Sequence, residues 1–74
     1  MIVSKREYEI GGILKKTDED CFNKLKYVEY RVLELKYGLK DKKYRSLDDL
    51  SKILNITRER VHQIEEKALK KLNI

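Results

Sequence analysis

Arg58, Glu59, His62 and Gln63 are the residues of this chain whose types and spacing suggest chemistry. On a helix these positions are neighbours on one side. Their side chains suit the edges of nucleic-acid bases: arginine donates twice to guanine, glutamate accepts from the cytosine amino group, glutamine pairs with adenine, and histidine donates or accepts. A solvated face of ordinary charges has the same spacing, so spacing alone leaves that reading open. Catalysis finds little support. His62 and Cys21 are the only histidine and cysteine and lie far apart in sequence, and no nucleophile stands near a base. The acidic clusters Asp18-Glu19-Asp20, Asp48-Asp49 and Glu65-Glu66 lack the spacing of a metal loop. We therefore expect neither an enzyme nor a cofactor nor a bound metal.

The elements around the four residues follow from capping and periodicity. Thr57 is a good N-cap, Glu59 suits the positive end of a helix, and Val61, Ile64, Ala68, Leu69 and Leu72 repeat with helical spacing. Arg58, His62 and Glu66 fall on the opposite side, and Lys67, Lys70 and Lys71 lie near the C-terminal end. Before this helix, Ser46 can cap a shorter one carrying Leu47, Leu50, Ile53 and Leu54, with Asp48 and Asp49 in its first turn. That helix stops at Asn55-Ile56 with neither Gly nor Pro. Two helices joined by so short a turn, the second opening with outward polar side chains, form a helix-turn-helix over residues 46–72, which a DNA major groove accepts.

Upstream, Phe22, Leu25, Val28, Val32 and Leu35 predict a helix from Asp18 or Asp20 to Tyr37, either buried on two sides or broken near Lys26, with Gly38 ending it. Residues 40–45 read as a loop. In residues 1–19 the Gly11-Gly12 pair suggests a tight hairpin turn. An isolated hairpin is marginal in water, so this segment is expected as a loosely held N-terminal arm or linker preceding a domain at 20–74. The fold class is all-α: a small helical domain with a C-terminal helix-turn-helix and no wing.

Composition fits. Seventy-four residues allow one small core, and a net charge of +5 favours a polyanionic partner. A single cysteine excludes an intrachain disulfide and suits a reducing cytoplasm. Met1-Ile2-Val3 followed by Ser4-Lys5-Arg6-Glu7 is no signal peptide, and no stretch is long enough to span a membrane. A cytoplasmic protein is expected.

The run ITRERVHQIEEKALKKL (56–72), preceded by VLELKYGL (32–39) and SLDDLSKIL (46–54), resembles region 4 of sigma-70 family transcription initiation factors. The likeness runs ungapped from about Asp20 to Leu72 and covers polar letters as well as core positions. It implies an all-helical domain of bacterial RNA polymerase holoenzyme, in the nucleoid, that binds the promoter minus-35 element as double-stranded DNA and docks on the flap of the polymerase beta subunit.

By the same resemblance, Arg58, Glu59 and Gln63 contact bases; His62, a base-reading candidate by its position, stands where family members usually carry arginine, which leaves its base preference or phosphate contact open. Phosphate contacts are expected from Lys36, Ser46, Leu47, Thr57 and Arg60; a further basic family position is Val28 in this chain. Tyr37, Leu39, Leu69 and Leu72 correspond to the surface that holds the flap, and Lys67 and Lys70 to positions facing an activator. Most of the flap set reads equally well as plain core. An anti-sigma factor is a further expected partner. The recognisable region that melts the minus-10 element in the family is missing from this sequence, so the chain alone is not expected to start transcription. Two other readings remain: an independent regulator that binds its own operator, and an interaction module with little DNA reading.

Overall fold

The computed structural model describes residues 4–74, and among them every regular element is helical. Helix α1 spans Lys5–Lys15, α2 Glu19–Phe22, α3 Tyr27–Lys36, α4 Leu47–Leu54 and α5 Arg58–Lys71. Helices α3 and α5 form the spine and hold two apolar clusters between them. One joins Val32, Leu50, Val61 and Ile64, with Leu35, Leu47, Leu54 and Ile56 against it, and seats α4 on α5. The other joins Ile10, Leu14, Leu33, Tyr37, Ala68 and Leu69, with Phe22, Leu25, Leu39, Tyr44 and Leu72 at its margin. The body measures 29 × 25 × 19 Å.

The segment from Asp18 to Tyr37 is broken, as one of the two expected forms had it. Lys26 is the N-cap of α3, and its backbone N–H donates to Glu29 Oε1 at 2.8 Å. Three helix ends share one device. A residue with positive φ follows α3 (Gly38, 61°), α4 (Asn55, 57°) and α5 (Asn73, 59°). In each case the next amide reaches five residues back: Leu39 to the Glu34 carbonyl, Ile56 to that of Ser51, Ile74 to that of Leu69. This satisfies carbonyls that the helix leaves without partners. Asparagine tolerates the left-handed conformation, which is why the turn between α4 and α5 needs no glycine.

The N-terminal segment differs from expectation. Residues 1–3 lie outside the described residues. From Lys5 to Lys15 the chain is helical, with Gly11 and Gly12 inside the helix and no hairpin turn between them. Ser4 caps it by accepting from the Glu7 N–H at 3.2 Å. Ile10 and Leu14, one turn apart, are buried in the second cluster, and this burial offsets the poor helix propensity of the glycines. Gly11 is needed for a separate reason: a Cβ there would lie 2.2 Å from the Tyr44 hydroxyl oxygen.

Candidate nucleic-acid interface

The start of α5 is fixed from both sides. Thr57 Oγ1 accepts from the Arg60 N–H at 3.1 Å, capping the helix. At the start of α4, Ser46 Oγ accepts from the Asp49 N–H (3.1 Å) while the Ser46 N–H donates to Asp49 Oδ2 (3.3 Å), a reciprocal box that satisfies two free donors. Val61 and Ile64 lock α5 against Leu50 of α4 and Val32 of α3. With the apolar side held, the opposite side of the first two turns must face out.

It does so with the four expected residues. Arg58, Glu59, His62 and Gln63 are all exposed and, with Leu47, line one shallow concavity. Arg58 lies 3.3 Å from Asp48 Oδ1, a pair open to solvent at both ends. Arg60 is exposed beside them and reaches Gln63 Oε1 at 3.5 Å. Thr57 is exposed and Ser46 half-buried, both at helix N-termini whose backbone N–H groups and dipoles favour a phosphate. Leu47 is half-buried against Leu50, so any phosphate contact it makes is through its backbone. Val28 is exposed at the start of α3 and has no charge to offer.

Lys36 departs from the phosphate expectation. Its ammonium is buried and donates to Glu65 Oε2 at 2.8 Å, and the Tyr37 hydroxyl donates to the same carboxylate. A charge enclosed by α5 in this way is not presented to DNA. Burial first, and then the Glu65 carboxylate, push the Tyr37 hydroxyl far above its ordinary range, so it remains a donor. Sequence reasoning missed Glu65, although a signal existed: it stands four residues after Val61 and four before Leu69, on the apolar stripe of α5. The positions around it raise a second question. His62, Glu65 and Glu66 each place a ligand atom within 4.8 Å of the others; Glu65 Oε2 is taken by Lys36 and Tyr37, and Oε1 faces His62 at 3.9 Å.

The expected flap residues come together, but not as an open surface. Tyr37 and Leu69 are buried core, and Leu39 and Leu72 pack at its margin. Ile10 and Leu14 of α1 lie in the same cluster. Lys67 and Lys70 are exposed and border a hollow with Arg6, Glu66, Leu69 and Ile74. Elsewhere, Glu29 is buried, and burial would raise its carboxyl. The Lys71 ammonium at 2.8 Å and the Lys26 N–H outweigh that and hold it below the ordinary value. None of the helices among the described residues is long and apolar enough to cross a membrane.

A capped helix that presents exposed polar side chains from a short helix-turn-helix has the architecture of the helix-turn-helix domains. Comparison with known proteins narrows the class. The family model of sigma-70, region 4, matches residues 21–73, and the chain belongs to that family. Among curated relatives, the RNA polymerase sigma factor SigA of Bacillus sp is 45% identical over 60 residues, which cover 81% of this chain and 16% of that protein. No solved structure matches the sequence.

Proposed function

We propose that this chain reads a minus-35-type promoter element through Arg58, Glu59, His62 and Gln63 and docks on the beta flap of RNA polymerase in the bacterial cytoplasm. The observation that carries the DNA reading is the joint exposure of these four side chains on the first two turns of α5, on a helix held by the Thr57 cap and the Val61 and Ile64 anchors. Family membership directs the reading to a promoter rather than to an operator. Arg60 and the N-termini at Ser46-Leu47 and Thr57 supply phosphate contacts, which position the helix without specifying sequence. Histidine in place of the usual arginine at position 62 alters base preference at one site. Lys67 and Lys70, exposed on the last turns of α5, face an activator bound alongside. An anti-sigma factor would compete for the docking face.

The test is binding to a TTGACA-type duplex and to a scrambled one. Arg58→Ala and Gln63→Ala are each expected to lose about 1–3 kcal/mol on the first and less on the second, because a bidentate base contact discriminates by that amount. Equal losses on both duplexes would refute direct readout. Retention of the chain by core RNA polymerase and by an isolated flap fragment tests the docking.

A further inference from the structure

Helix α1 lies wholly outside the residues 21–73 that define the family, yet it closes an apolar face built entirely from residues inside them: Leu33, Tyr37, Leu39, Ala68, Leu69 and Leu72. We infer that α1 occupies the proposed docking face in the free protein and that the docking partner displaces it. The inference rests on the docking reading above, in which the polymerase flap is the partner.

The fit is read from α1 itself. Ile10 and Leu14, one turn apart, fill the apolar floor, and Gly11 between them lets the helix approach Tyr44 where any Cβ would collide with the hydroxyl. A helix in a groove is recognised by just such an apolar pair at i and i+4.

Several features make α1 the element that yields. It has eleven residues and two interior glycines, too short and too poor in propensity to persist without the groove. Its ion pairs with the rest of the molecule are long: 3.8 Å from Arg6 to Glu66 and 3.9 Å from Glu7 to Lys36. Tyr8 and Ile13, on its outer side, remain exposed. Releasing α1 thus uncovers the groove while leaving α4, the α4–α5 turn and the recognition face intact, since these rest on the other apolar cluster. Occupancy by α1 lowers the apparent affinity for the partner by the fraction of molecules in which the groove is open.

Amide hydrogen exchange on the full chain, with and without an isolated beta-flap fragment, tests this directly. The fragment is expected to remove protection from residues 5–15 while residues 58–71 keep theirs. Binding of the fragment with α1 still protected would overturn the proposal. A second measurement uses Gly11→Leu, whose side chain would press on the Tyr44 ring and push α1 outward. This variant is expected to bind the fragment at least fivefold more tightly than the native chain, with unchanged affinity for the minus-35 duplex, and equal fragment affinities would again overturn the proposal. If neither protein binds the fragment while both bind the duplex, the docking reading itself falls, and the displacement with it.

Discussion

Arg58 illustrates how the proposed reading face is ordered in the free chain. Its guanidinium leans on Asp48 across the α4–α5 junction, and because both groups are open to solvent the pair is weak and easily exchanged for a base edge. Glu65 is the opposite case, a carboxylate enclosed directly behind the reading helix. Glu65→Ala would leave the buried Lys36 ammonium with only the more distant Glu7 carboxylate, 3.9 Å away, as counter-charge, and is expected to cost about 3 kcal/mol in urea unfolding. Lys36→Met combined with Glu65→Leu removes both charges and should be clearly milder, since it leaves no ion unpaired. Glu29 links the fold to pH. Its carboxyl is held below the ordinary 4.5, so the unfolded chain takes up the proton first as acid is added. The stability this group contributes is complete above that value and is lost as pH falls through the folded-state value. Glu29→Gln should therefore show a shallower decline of stability below about pH 4.5 than the native chain, measured by thermal unfolding across an acid series. At this scale the exposed residues were legible in the sequence, because polar side chains opposite an apolar stripe have nowhere else to go. The buried charges Glu29, Lys36 and Glu65 were not, since local pattern does not reveal a partner lying 29 residues away, as Glu65 does from Lys36.

The helix boundaries were legible where a short side chain performs a local task. Ser46 and Thr57 cap because their hydroxyls reach an amide three residues on, and both are read from neighbours alone. Gly38 was legible as a stop for a similar reason. Its φ of 61° is easiest for glycine, and here glycine is required because a Cβ would lie 2.5 Å from the Lys43 backbone nitrogen. Gly38→Ala should thus destabilise by more than about 1 kcal/mol in chemical denaturation, and an equivalent change at the open Gly12 should not. The same residue type misled at α1. A Gly-Gly pair inside a helix is unfavourable locally, and only the Ile10–Leu14 burial and the close approach to Tyr44, both tertiary, decide in its favour.

At the scale of the whole molecule, net charge and helical composition indicated the class of partner, and the family likeness indicated the promoter. The division of the core into two clusters sharing α3 and α5 was not visible, because the sequence stripe of α5 serves both without a break. The dimensions set a further limit. Half-sites for a two-fold reader lie about 34–36 Å apart along the duplex. A body whose longest extent is 29 Å falls short of that span, so one copy occupies one groove segment only. In a hydroxyl-radical protection experiment, whose probe is no larger than water, a single bound chain should shield fewer than about ten base pairs, less than one turn of B-DNA. A longer shadow on the DNA would be cast by a second body, whether another copy or the polymerase.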